Sequence, residues 1–132
     1  MKEKGYSKAH QSCLLWLATK PIVLIHIFGV GAALLCEDGT IYEGCNIENA
    51  SYGLTNCAER TAIFKAVSEG QTKFKALAVV ADTEGPCAPC GACRQVISEF
   101  EIPRIIMANL RGDYTVVELE GLLPFRFGAD NI

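Results

Sequence analysis

The sequence predicts an α/β fold: a mixed five-stranded sheet, opening with an antiparallel hairpin and continuing through parallel crossovers, with helices on both faces. Three observations lead there. Two β-compatible runs, Val30 to Leu35 and Ile41 to Cys45, flank the turn signal Glu37-Asp38-Gly39. Apolar side chains at Ala58, Ala62, Ile63, Ala66 and Val67 recur at helical spacing, whereas Ala76 to Ala81 and Ile105 to Ala108 are short continuous apolar runs suited to buried strands. Strands that alternate with helices need crossover connections, and such connections make a sheet partly parallel.

Taken in order, the hairpin is followed by Asn46 to Asn56, rich in Asn and Ser, which reads as loop. Cys57 to Ser68 is a helix stopped by Glu69-Gly70. After the strand at Ala76 to Ala81, a Pro-containing loop leads into a second helix, Gly91 to Phe100, opened by Cys90 and Cys93. The strand Ile105 to Ala108, the turn Arg111-Gly112-Asp113, the strand Tyr114 to Val117 and a short helix ending at Pro124 complete the chain. This order brings the two helix N-termini together at the carboxyl ends of the strands.

At 132 residues the chain is expected to form one domain over 1–132, with an atypical N-terminal segment over 1–27. Half the residues are hydrophobic and 20% are charged, an apolar content that implies contact with another subunit. The net charge of -3 and the lack of any Lys/Arg run argue against a nucleic-acid partner, and a small neutral molecule is the expected ligand. Ile22 to Leu35 is nearly all apolar but shorter than the roughly 20 residues of a membrane-spanning helix. It also contains His26 and two glycines, so it is read as buried strand, with no membrane partner. Cys13 to Ala18 faintly resembles a signal sequence, but Lys20 and Pro21 cut it short, and a cytoplasmic location is expected. Seven cysteines, an odd number, beside long apolar periodic segments read as reduced thiols.

Two motifs carry the chemistry. Cys57-Ala58-Glu59 and Pro89-Cys90-Gly91-Ala92-Cys93 together supply three thiolates and one carboxylate. Structural zinc sites are usually closed by four protein ligands, whereas three ligands leave the fourth position for water, as hydrolytic zinc requires. Cys57 and Cys90 are too far apart in sequence for a local zinc knuckle, so the fold must unite them. Cys87 forms a competing Cys-x-x-Cys with Cys90, the spacing of a redox dithiol, but no thioredoxin-like Trp or Gly-Pro insert accompanies it. Cys93, one helical turn beyond Cys90, is the better partner. Cys13, Cys36 and Cys45 read as small buried hydrophobes. Alone, Glu59 would be an ordinary acid of a helix first turn; beside a metal ligand it becomes a proton acceptor for a water whose pKa zinc lowers to roughly 7. Arg60 is either a solvated arginine or a donor to the ligand sulfurs that offsets their excess negative charge.

On these residues the chain resembles a cytidine deaminase of the small, homotetrameric class, whose zinc signature pairs a Cys or His two residues before Glu with Pro-Cys-x-x-Cys. The likeness runs from Phe28 to Phe127 through Phe28-Gly29-Val30-Gly31-Ala32-Ala33-Leu34-Leu35, Gly44-Cys45-Asn46-Ile47-Glu48-Asn49-Ala50-Ser51-Tyr52, Cys57-Ala58-Glu59-Arg60-Thr61-Ala62 and Pro89-Cys90-Gly91-Ala92-Cys93-Arg94-Gln95. It implies one Zn2+ per subunit on Cys57, Cys90 and Cys93, with Glu59 as proton shuttle while zinc-activated water attacks C4 of the base and ammonia leaves. It places Asn46 and Glu48 on the sugar hydroxyls, Phe28 against the pyrimidine, the backbone of Ala58 on the base carbonyl, and Tyr52 and Phe127 at subunit contacts near a neighbour's pocket. The implied substrates are cytidine and deoxycytidine in pyrimidine salvage. Other outcomes compatible with the motifs are deamination of a modified nucleoside or polynucleotide, and a non-catalytic zinc module.

The departure lies before Phe28. Thr19-Lys20-Pro21-Ile22-Val23-Leu24-Ile25-His26-Ile27 stands where the family shows Ala-Tyr-x-Pro-Tyr-Ser-x. Codons compatible with Trp16 to Phe28, read out of phase, restore a matching Ala-Tyr-Cys-Pro-Tyr-Ser-Tyr-Phe, so a compensated frameshift is expected. Resequencing the gene decides it: an unbroken frame rules the shift out.

Overall fold

The computed structural model describes residues 29–132. Phe28 and the atypical 1–27 segment, with Cys13 and the run from Ile22, lie outside the described residues. The strands are β1 (Val30–Cys36), β2 (Ile41–Cys45), β3 (Phe74–Ala81), β4 (Arg104–Asn109) and β5 (Tyr114–Glu118). The helices are α1 (Ala58–Ser68), α2 (Gly91–Glu99) and the short α3 (Leu119–Leu122). Each lies within two residues of its sequence-derived span. Glycine sets one of those ends: Gly70 takes φ +97, the left-handed conformation that stops α1 after Glu69.

The sheet is mixed and five-stranded, in the order β2-β1-β3-β4-β5. Among the described residues its one parallel pair is β3 with β4, joined by the crossover through α2; β1 pairs antiparallel with both β2 and β3, and β5 returns antiparallel onto β4. The helical connection from β2 through α1 to β3 makes no parallel pair, because β1 lies between those two strands in the sheet; the connection through α2 joins neighbours and does. β4 and β5 meet instead through a tight turn at Arg111–Asp113.

Alternation along the strands gives two apolar layers. Ala32, Leu34 and Cys36 of β1 join Leu77 and Ile105 in a core with Ala62, Ile63 and Ala66 of α1, Ile97 of α2, and Leu119 and Leu122 of α3. Ala33, Leu35, Ala78, Val80, Ile106 and Ala108 form the core of the opposite face. The three described α-helices therefore share the first face. No helix among the described residues is long and apolar enough to cross a membrane.

The register places the site. Val30 lies opposite Ala81, Gly31 opposite Cys45, and Ala81 opposite Asn109, so the start of β1 and the ends of β2, β3 and β4 share one edge. α1 reaches that edge because it crosses β2 at Gly44, where a Cβ would sit 2.6 Å from Ala62 N and 2.7 Å from Ala58 O. Both are backbone atoms of the helix that begins beside Cys57. Gly44→Ala is therefore expected to shift α1 and cost about 1–3 kcal/mol, read as a lower urea midpoint with an unchanged slope.

Candidate metal centre and active site

Cys57 is the N-cap of α1 and Cys90 the N-cap of α2, each with extended backbone angles and neither making a side-chain capping bond. Their thiols are thus free for another partner, beside backbone N–H groups whose partial positive charge favours thiolate. Local bonds hold the first of them: the Cys57 carbonyl accepts from Thr61 N at 3.0 Å and from Thr61 Oγ1 at 3.2 Å. Asn56 Nδ2 in turn donates to Thr61 Oγ1 at 3.1 Å. Cys93, one turn into α2, is fully buried.

The three sulfurs of Cys57, Cys90 and Cys93 lie within 4.8 Å of one another, and they form the group of potential metal ligands found among the described residues. Cys57 Sγ and Cys90 Sγ are 3.8 Å apart. A tetrahedral zinc with Zn–S bonds of about 2.3 Å holds its sulfurs about 3.8 Å apart, so the donor set fits that ion. Cys87 is outside the cluster, which resolves the competing Cys-x-x-Cys pairing in favour of Cys90 with Cys93. Burial pushes the Cys87 thiol up to about 11. Cys36 is buried as expected, while Cys45 is only half-buried.

Charge is shared unequally among the sulfurs. A hydrogen bond from Cys93, aided by Arg60 and Cys90, brings the Cys57 thiol down to about 5 against the effect of burial, and the same bond raises Cys93. Both shifts come first from the contact between the two sulfurs, which favours charge on Cys57 over charge on Cys93. Arg60 Nη2 donates to Cys57 Sγ at 3.3 Å, so the guanidinium is a sulfur donor and not a solvated arginine. Glu59 is 4% exposed. Burial, reinforced by the charge at Cys57, raises its carboxyl to about 7, partly opposed by a bond from its own backbone.

A cavity of about 240 Å³ opens onto these groups, lined by Asn46, Glu48, Cys57, Ala58, Glu59 and Cys90. Asn46 is oriented on both sides: its Oδ1 accepts from Val30 N at 2.9 Å and its Nδ2 donates to Glu48 Oε2 at 2.8 Å. Tyr52 and Phe127 are not among the lining residues and are 78% and 59% exposed. Sequence reasoning missed Val30, Thr55, Asn56, Cys87 and Ala88, which complete the wall. Asn56 and Ala88 had a usable signal in their position beside a ligand motif; Val30 had none, because only its pairing with Ala81 brings it there. A larger cavity of about 410 Å³ lies along α2 and the C-terminal segment, between Ser98, Arg126 and Asp130, and contains no thiol.

Residues 8–109 match the family described as the cytidine and deoxycytidylate deaminase zinc-binding region. The chain belongs to that family. It is 62% identical over 108 residues to the cytidine deaminase of Sporosarcina psychrophila, covering 80% of this chain and 79% of the relative. It is 55% identical over 107 residues to that of Halalkalibacterium halodurans, covering 80% and 81%. The crystal structure of cytidine deaminase from Burkholderia pseudomallei superposes with a TM-score of 0.82 at 46% identity, covering 89% of this chain and 98% of that one. The mixed sheet with its helices is thus the architecture of a deaminase, and Cys57, Cys90 and Cys93 are positioned to hold the zinc of the family's zinc-binding region.

Proposed function

We propose that this chain hydrolyses cytidine and deoxycytidine to uridine and deoxyuridine, as a cytoplasmic, homotetrameric enzyme of pyrimidine salvage in which 1–132 acts as one domain. The observation that carries the reading is a buried carboxyl two residues from Cys57, opening into the same cavity as Cys57 and Cys90. Zinc held by Cys57, Cys90 and Cys93 supplies a water acidified to roughly pKa 7 and hence a nucleophile at neutral pH.

The chain's own residues do the rest. Glu59, with a carboxyl at about 7, takes a proton from the attacking water to the ring nitrogen of the base and then carries the remaining hydroxyl proton to the amino group, so that C4 keeps the oxygen and the amino group leaves as ammonia. Arg60 keeps charge on the Cys57 sulfur balanced. Asn46 and Glu48, already locked to each other, present an amide and a carboxylate to the sugar hydroxyls, and the Ala58 backbone meets the base carbonyl at the helix N-terminus. Phe28 stacks on the pyrimidine. Exposed Tyr52 and Phe127, with Ile47 and Leu54 also exposed on the loop beside the pocket, are suited to subunit contacts that complete a neighbouring site.

Loss of cytidine absorbance with purified protein, together with metal content by mass spectrometry, tests the activity; zinc-loaded protein that releases no ammonia would leave only a non-catalytic zinc module. Glu48→Gln is expected to lower kcat/KM for cytidine by roughly 5- to 150-fold, the equivalent of about 1–3 kcal/mol for a desolvated sugar hydroxyl losing its charged partner. Free cytosine, which has no sugar, should show no such dependence.

A further inference from the structure

We propose that Arg94 is a positioning residue for the second zinc loop, holding the peptide carbonyls on both sides of the Cys90 Cα so that the Cys90 sulfur meets those of Cys57 and Cys93. The inference rests on the zinc-enzyme reading given above. Residues 82–90 connect β3 to α2 without regular secondary structure, yet they carry Cys90 and line the cavity through Cys87 and Ala88. A segment without a ladder or helix of its own keeps its shape through the partners its backbone groups find elsewhere.

Three such ties run along it. Asn109 Nδ2 donates to Glu84 O at 2.9 Å and Cys87 N donates to Ala108 O at 3.0 Å, both anchoring the loop to the end of β4. Arg94 Nε donates to Pro89 O at 2.9 Å, acting on the residue directly before the ligand. The Arg94 backbone N–H meanwhile donates to Cys90 O at 2.9 Å, the first bond of α2. Two consecutive carbonyls, those of Pro89 and Cys90, are therefore held by one residue, and that residue follows Cys93. Rotation of the Cys90 backbone, which would swing its sulfur out of the cluster, has to break both bonds.

The guanidinium is itself braced. Arg94 Nη1 donates to Leu122 O at 3.0 Å, at the end of α3. A planar fork reaches two carbonyls in fixed directions, which a lysine ammonium on a flexible stem does not reproduce. Neighbouring bonds tie α2 to the C-terminal segment without touching the loop: Arg126 Nη1 donates to Ser98 O at 3.0 Å and to Ser98 Oγ at 3.2 Å. They separate a general packing role for the segment from a role at the metal.

The test is a zinc dissociation constant, measured by competition with a chromophoric chelator on the full chain and on Arg94→Ala, Arg94→Lys and Arg126→Ala. Arg94→Ala is expected to bind zinc about tenfold or more weakly, in the range seen when partners behind metal ligands are removed. Arg94→Lys should fall between, and Arg126→Ala should match the parent. Guanidinium ion at a non-denaturing concentration should restore affinity to Arg94→Ala and do nothing for the parent. Zinc affinities of both Arg94 variants within twofold of the parent overturn the proposal, as does an equal loss in Arg126→Ala. Parent protein that itself fails to take up zinc overturns the underlying reading instead, and the same titration shows it.

Discussion

Glu59→Gln is expected to reduce cytidine turnover by at least 10²- to 10⁴-fold while leaving one zinc ion per chain, because the substitution removes a proton carrier without touching a sulfur. The amide fills the same buried volume at the first turn of α1, so packing is preserved. Turnover and metal content measured on one preparation separate the two roles: undiminished turnover removes Glu59 from the chemistry, and lost zinc makes it part of the metal site. The same variant has a signature in the zinc-free protein. A carboxyl raised from 4.5 to about 7 binds its proton more tightly folded than unfolded. Its contribution to stability is therefore complete below pH 4.5 and is lost as the pH rises through 7. Zinc-free Glu59→Gln should accordingly gain in urea midpoint relative to the zinc-free parent between those limits and hold the gain above them. A difference that stays flat across that window contradicts the burial assigned to Glu59.

Cys90→Ser carries the second large effect: loss of zinc and of turnover together. Cys90 is the cleanest of the three cysteines to change, since it is exposed at a helix N-cap, whereas Cys93 is fully enclosed in the core and its replacement would also disturb packing. A ligand that binds only the folded state stabilises it by mass action, by about 2.7 kcal/mol at a hundredfold excess over its dissociation constant. Zinc should thus raise the urea midpoint of the parent and not that of the variant, and a chelator should bring the two together. A Cys90→Ser protein that keeps stoichiometric zinc would show that the three sulfurs are not the ligand set.

How far these features could be read from sequence depends on how local their causes are. The hairpin followed from Glu37-Asp38-Gly39 between two apolar runs, and α1 from its periodicity and the Gly70 stop, because turns and helices answer to neighbours within a few positions. Placing Cys57 and Cys90 at helix starts needed only those spans. The antiparallel pairing of β1 with β3 was not legible, since a strand's partner is set by which apolar faces the whole sheet buries. The close approach at Gly44 left no local mark either, because a missing side chain says nothing about which helix crosses it. Arg94 looked like the next residue of a motif until its guanidinium was seen to span Pro89 and Leu122, the latter 28 positions away.

By itself, the sequence determined the donor set, three thiols and a carboxyl with their spacing to two helix starts, because these are properties of residue type and short-range backbone preference. Tertiary structure alone decided that Cys57 and Cys90 stand 3.8 Å apart, that Glu59 is buried enough to hold a proton near neutrality, and that Val30 closes the cavity. Distances between groups far apart in the chain, and the dielectric around them, exist only once the sheet has chosen its strand order and the helices have packed against it.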